Sequence, residues 1–116
     1  MKIRDTEGDV IVLNTNKLKV FISMPMNGKT ENDIYLEKME ILKKLPGSIQ
    51  TYEILDSWIS EQPPRGANEA LWCLGKSIEL LAQADIIIMA PGWKDARGCV
   101  IEEMCADKYN LMRYYL

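Results

Sequence analysis

Short, continuous apolar runs alternate along the chain with longer segments in which apolar residues recur at helical spacing. In the run Ile86 to Pro91, five of the six residues are apolar, which is typical of a strand buried on both faces of a parallel sheet. Proline ends such a strand because it lacks the ladder donor. From Gly98 the apolar residues follow a helical period, and they are Val100, Ile101, Met104 and Cys105. The pattern predicts strand, loop and helix, the unit whose loop binds ligands in open α/β sheets.

Further apolar runs predict the other strands of the same sheet, at Leu18–Ser23, Ile49–Leu55 and Leu111–Leu116. Helical segments lie between them, from Thr30 or Asn32 to about Lys44 and from about Asn68 to Gln83. Their core-facing residues are predicted to be Ile34, Ile41, Leu42 and Leu45 in one and Leu71, Leu74, Ile78 and Leu81 in the other. This alternation predicts an α/β fold, a three-layer flavodoxin- or Rossmann-like sandwich with strand order 2-1-3-4 and a four- to five-stranded, mostly parallel sheet.

The length of 116 residues predicts a single domain over 1–116. Its first 16 residues contain one apolar run, Val10 to Leu13, expected to form an edge strand or a hairpin arm. A net charge of −3 argues against a nucleic acid polymer or an anionic membrane as partner. No stretch approaches the roughly 20 apolar residues of a membrane span.

The cysteine and histidine content limits the cellular compartment and the kinds of catalytic and metal sites that the protein can have. Three cysteines without CxxC spacing indicate reduced thiols, and the charged N-terminus lacks the apolar core of a signal peptide, so a cytoplasmic location is expected. The absence of histidine excludes histidine-dependent triads and makes ordinary zinc sites improbable. We therefore expect no bound metal.

Polar loops are predicted to converge at the carboxyl edge of the sheet, where they suit a polar small molecule. The segment around Asn27 and Gly28 precedes a helix and would hold an anionic or hydroxylated group. Trp93 offers an aromatic plane, Arg97 a fork of donors and Gly98 close backbone approach. The candidate binding residues in these loops are Ser23, Met24, Pro25, Asn27, Gly28, Asp56, Gly92, Trp93, Asp95, Arg97 and Gly98.

Several of these residues have structural interpretations as well. Trp93 also fits a residue that covers the core, and Arg97 fits a solvated charge. Asp56 also fits the N-cap of a short helix over Ser57 to Ser60. Asp85 lies at the opposite edge of the sheet, where a turn is its expected role. The cysteines at 73, 99 and 105 fit small core residues better than nucleophiles.

Three segments resemble the nucleoside 2-deoxyribosyltransferase superfamily: FISMPMNG (21–28), ADIIIMAPGW (84–93) and RGCVIEEMCA (97–106). They are most similar to a small branch with a GP(M)xG first loop and a PGWxxSRGAxxE central motif, over roughly residues 18–116. Enzymes of this superfamily cleave the N-glycosidic bond of a deoxynucleoside or its monophosphate through a glutamate nucleophile. The resemblance places that glutamate four residues after Gly98, at Glu102, rather than at Glu103. It implies no cofactor.

A glycosidase of this kind forms a covalent glycosyl-enzyme, which water or a second base then resolves. The helix dipole is expected to keep Glu102 ionised. The leaving base also needs a proton, and the family has an aspartate eight residues before Asp85, where this chain has Ser77. Asp56 or Asp95 would have to substitute. The first loop departs as well, with Met24 where the family more often has glycine.

These observations leave two classes of function open. The first is N-glycosidic bond cleavage or deoxyribosyl transfer on a nucleoside or nucleotide, with Ser77 beside the base. The second is a non-catalytic protein that binds a nucleotide-derived ligand in the same pocket, and a structural subunit with a relict site is a weaker third. A homodimer or larger homo-oligomer is expected, since aromatic residues exceed the needs of one small core and such residues are enriched at interfaces: Trp58, Trp72, Tyr109, Tyr114 and Tyr115. The resemblance also implies that a neighbouring chain helps to close the site.

Overall fold

Four parallel strands form the centre of the protein, in the order β2-β1-β3-β4. The structure is a computed structural model that describes residues 17–46 and 52–116. The elements in chain order are β1 (Leu18–Ser23), α1 (Glu31–Lys43), β2 (Tyr52–Ile54), α2 (Glu69–Leu81), β3 (Ile86–Met89), a 3₁₀ turn (Trp93–Asp95), α3 (Arg97–Lys108) and β4 (Met112–Tyr115). The predicted α/β class and strand order are confirmed. The proposed edge strand within 1–16 lies outside the described residues.

The central strand β3 is the most deeply buried element. All four of its residues are at most 2% exposed, because β1 pairs with one side and β4 with the other. Isoleucines and a methionine suit this position, since side chains of both faces lie in apolar surroundings. The loop after β3 is therefore carried by the best anchored strand.

Side chains alternate between two cores on opposite faces of the sheet. One core contains Val20, Ile22, Ile86 and Ile88 with residues of α1. The other contains Phe21, Ile87 and Met89 with residues of α2 and α3. The sheet thus separates α1 from the other two helices, which gives the three layers.

Polar caps define where α1 and α2 start. Thr30, one of the two predicted caps, forms a capping box with Asp33: its hydroxyl accepts from the Asp33 backbone N–H, and the Asp33 carboxylate accepts from the Thr30 N–H, both at 3.1 Å. Asn68 caps α2 by accepting from the backbone N–H of Leu71 at 3.1 Å. Both caps satisfy donors that an unpaired helix start leaves free.

The predicted core-facing position of Leu71 is wrong, and Met104, from the apolar period after Gly98, is also exposed. Leu71 is 64% exposed and Met104 is 51% exposed. In α3 the buried residues are Cys99, Glu102 and Ala106, a face that runs i, i+3, i+7 and lies apart from Met104. Small side chains at both ends of this face let α3 approach the sheet, and they place the glutamate between them.

The predicted short helix after Asp56 is also absent. Residues 57–60 have no regular secondary structure. The Asp56 carboxylate instead accepts a hydrogen bond from the backbone N–H of Trp58 at 3.0 Å, which closes an Asx turn. Asp85 has the structural role expected for it, since its carboxylate accepts from the Lys19 backbone N–H at 2.7 Å, at the amino edge of the sheet.

None of the helices in the described residues combines the length and the apolar character that a membrane-spanning helix requires.

Candidate functional site

Glu102 and Ser23 meet at the carboxyl edge of the sheet. Ser23 is the last residue of β1, and Glu102 lies on the buried face of α3. The Ser23 hydroxyl donates a 2.6 Å hydrogen bond to Oε1 of Glu102. They are 1% and 8% exposed respectively. Two residues 79 positions apart in sequence therefore form one buried polar pair.

Burial dominates the electrostatics of this pair. It raises the pKa of the Glu102 carboxyl, and the hydrogen bond from Ser23 opposes that increase. The expected support from the helix dipole is weak because α3 begins at Arg97, which puts Glu102 in the second turn, while the effect fades beyond the first. Cys99 is buried beside the pair, and its thiol pKa is raised mainly by burial, so this thiol is a poor nucleophile.

The loops after β1 and β3 contact each other beside the pair. Gly92 has φ of +86°, and a Cβ atom at this position would lie 3.7 Å from Cγ of Pro25. The left-handed conformation of Gly92 turns the chain into the 3₁₀ turn. Gly28 is also left-handed, with φ of +77°, and the exposed Asn27 precedes it. Met24 lies inside the first core instead of at the surface.

An aromatic pair links the turn after β3 to the end of β4. The rings of Trp93 and Tyr115 have centroids 5.9 Å apart and planes inclined by 40°. The Tyr115 hydroxyl donates to Oε2 of Glu103 at 2.6 Å. Trp93 also packs against the second core, which is the core-covering role expected for it from the sequence.

The remaining candidate residues that follow β3 are exposed or only partly buried. Arg97 is the first residue of α3 and Asp95 ends the 3₁₀ turn; both side chains are exposed. Gly98 follows in the first turn of α3 and is partly buried. Among the described residues, none of the three makes a hydrogen bond to the carboxyl of Glu102.

Asp56 and Ser77 lie together in a separate cavity of about 200 Å³. The segment 56–61 forms one wall, and residues of α2 form the other. The ion pair between Lys76 and Glu61, at 3.6 Å, joins the two walls. Ser23, Gly92 and Glu102 do not line this cavity. The candidate residues thus form two groups, one around Glu102 and one around Ser77.

Sequence reasoning missed Lys38, which is 7% exposed and belongs to α1. Its ammonium donates a 3.2 Å hydrogen bond to the hydroxyl of Ser57, which is also 7% exposed. The sequence does indicate its position, because Lys38 lies on the same helix face as Ile34 and Ile41, at the spacing i, i+4, i+7. A lysine at a core position is rare enough to count as a functional candidate.

In the described part of the chain, no group of three His, Cys, Asp or Glu side chains is arranged to hold a metal ion. Comparison with protein-family models, with curated proteins and with solved structures returns no match for this chain.

Proposed function

We propose that the protein cleaves or transfers at the N-glycosidic bond of a (deoxy)nucleoside or nucleotide, with Glu102 as nucleophile. The main support is the buried Ser23–Glu102 pair at the carboxyl edge of a parallel sheet, the position at which α/β sheets bind ligands. A buried carboxylate is costly for folding, and it lies at the position that the resemblance assigns to the nucleophile.

The hydrogen bond leaves one oxygen of Glu102 available for attack. Ser23 donates to Oε1, and no donor to Oε2 is present among the described residues. Attack of Oε2 on the anomeric carbon would form an ester as the bond to the base breaks. Water or a second base would then take the sugar and release the carboxylate. Ser23 fixes the carboxyl group and offsets part of its loss of hydration.

The loops around Glu102 provide surfaces for the rest of a nucleoside. The Trp93–Tyr115 pair offers aromatic planes to a base. Arg97 and the backbone at Asn27 and Gly28 offer donors to hydroxyl or phosphate oxygens at the entrance. Asp56 and Ser77 lie in the neighbouring cavity, where the family pattern places the proton donor.

A non-catalytic binder of a nucleotide-derived ligand is the second candidate, and the hydroxyl of Ser77 favours it. Ser77 is not acidic, so it does not replace the carboxyl group that the family pattern places there. A binder would retain the same pocket and would need no proton donor.

The first experiment is an activity screen over 2′-deoxynucleosides, ribonucleosides and their 5′-monophosphates, with free base measured by chromatography. We expect release of base from at least one of these compounds, and faster release when a second base is present if the reaction is a transfer. Ligand-dependent thermal stabilisation without any base release would support the binder instead.

We also propose that the protein forms a homodimer or larger homo-oligomer through the layer of α2 and α3. Leu71 and Met104, on these two helices, are 64% and 51% exposed, and large exposed apolar side chains in one layer mark interaction surfaces. Light scattering at tens of micromolar should give at least twice the monomer mass of 13.3 kDa.

Charged substitutions on this layer supply the matched comparison. Leu71→Glu and Met104→Glu should shift the mass toward the monomer, whereas Tyr35→Glu, at an exposed position of α1 on the other face, should not. A monomer mass for the native protein would contradict the proposed assembly.

A further inference from the structure

Lys38 lies in the middle of the buried face of α1, between Ile34 and Ile41. Helical side chains lean toward the amino end of their helix. The amino end of α1 lies at the carboxyl edge of the sheet, because α1 returns antiparallel to the strands that it connects. The lysine stem therefore passes through the core and brings the ammonium group to the edge where ligands bind.

The contact between Lys38 and Ser57 has a defined direction. An ammonium group donates hydrogen bonds and accepts none, so the oxygen of Ser57 is the acceptor. The hydroxyl proton of Ser57 is consequently free to be donated elsewhere. Ser57 also lines the cavity that contains Asp56 and Ser77. Its hydroxyl therefore contacts the ammonium of Lys38 on one side and faces the cavity on the other.

We propose that Ser57 donates the proton to the departing base and is reprotonated by Lys38, an inference that rests on the proposed N-glycosidic cleavage. As the carbon–nitrogen bond breaks, its electron pair stays on the base nitrogen, which takes the hydroxyl proton of Ser57. Ser57 takes a proton from the Lys38 ammonium in the same step. Neutral Lys38 then takes a proton from solvent. The pair thereby supplies the acid that Ser77 cannot.

The surroundings of Lys38 suit this role. Burial lowers the pKa of its ammonium, which makes it a stronger acid than an exposed lysine, and the nearby Asp56 carboxylate opposes that decrease. Among the described residues, Asp56 is the charged group whose interaction shifts the pKa of Lys38. The lowered pKa makes the Lys38 proton easier to transfer than that of an exposed lysine.

Two substrates separate proton donation from other roles of Lys38 and Ser57. A natural 2′-deoxynucleoside needs a proton on its base, whereas 4-nitrophenyl 2-deoxyriboside releases a stable phenolate without one. Lys38→Met and Ser57→Ala should slow cleavage of the nucleoside by about 10²–10⁴-fold and leave cleavage of the nitrophenyl compound within a few-fold of native. Lys43→Met, an exposed lysine of the same helix, is the matched control and should change neither rate.

Two further variants distinguish a proton donor from a fixed charge. Lys38→Arg keeps the cation but does not release its proton, so it should remain as slow as Lys38→Met on the nucleoside. Ser77→Asp introduces a carboxyl group into the cavity and should restore nucleoside cleavage in the Lys38→Met background. In the native protein, the rate for the nucleoside should fall as pH rises through the lowered pKa of Lys38, and Lys38→Met should lose that fall.

Each contrary result has its own meaning. Nucleoside cleavage unchanged in both Lys38→Met and Ser57→Ala would overturn the relay and leave the proposed function intact. Loss in Asp56→Asn or Asp95→Asn alone would assign the proton to that aspartate and also overturn the relay. An equal loss on both substrates, or recovery in Lys38→Arg, would reduce Lys38 to a structural or charge role. Native protein that cleaves neither compound would remove the proposed function, and the relay with it.

Discussion

Replacing Glu102 with glutamine is expected to abolish base release while leaving the fold and ligand binding intact. Glutamine keeps the shape and can still accept the hydrogen bond from Ser23, but its amide is not a nucleophile. Loss of an essential nucleophile lowers turnover by about 10⁴-fold or more. Intact-mass spectrometry of the native protein quenched during turnover should show a covalent sugar adduct, and the variant should show none.

Stability measurements provide the internal control for this variant. Because the pKa of Glu102 is raised by burial, the folded protein holds this proton more tightly than the unfolded chain. The stability of the native protein should therefore fall as pH rises from the ordinary glutamate value of 4.5 through the raised pKa. Glu102→Gln carries no titrating group there, so it should be the more stable protein at neutral pH. Unchanged base release in this variant would remove Glu102 as the nucleophile.

Replacing Lys38 with methionine is expected to increase the free energy of unfolding at neutral pH, because a buried ammonium bonded only to a hydroxyl among the described residues is costly. The scale is about 1–4 kcal/mol, the range found when buried ion pairs are replaced by apolar side chains of similar volume. Methionine preserves most of the lysine stem between Ile34 and Ile41. The pKa of Lys38 is lowered in the folded state, so the unfolded chain holds the extra proton between that value and 10.5. Native stability should rise with pH across this window, and the variant should lose that rise.

Urea unfolding at several pH values measures both effects. Lys43→Met is again the matched control, because its side chain is 72% exposed and its loss should change stability by at most about 0.5 kcal/mol at any pH. A clear loss of stability in Lys38→Met at neutral pH would show that the hydrogen bond to Ser57 outweighs the cost of burying the charge.

The fold was predictable because the sheet depends on strong local signals. The run at Ile86–Met89 specifies a strand buried on both faces, and the right-handed connections of alternating strands and helices then determine the strand order. Periodicity was less reliable for the helices. Leu71 and Met104 follow an apolar period yet are exposed, since periodicity does not distinguish a core face from a face that remains open.

The site was predictable only in part. The family resemblance pointed to Glu102, but its contact with Ser23 depends on a pairing across 79 positions. An apolar period does not indicate Lys38, because its side chain is charged although it occupies a core position between Ile34 and Ile41. Its partner Ser57 lies beyond the end of β2 in a segment without regular structure, where no period indicates the direction of a side chain.

The separation of the three helices onto two faces of the sheet has a consequence for the field at its carboxyl edge. Glu102 reaches this edge from α3 on one face, and Lys38 reaches it from α1 on the other. When both groups are charged, they define an electric dipole across the ends of β1 and β2. Breaking a glycosidic bond leaves positive charge on the sugar and negative charge on the base. A substrate bound with its sugar toward Glu102 would develop its own dipole along that field, and the field would lower the energy of charge separation before any proton moves.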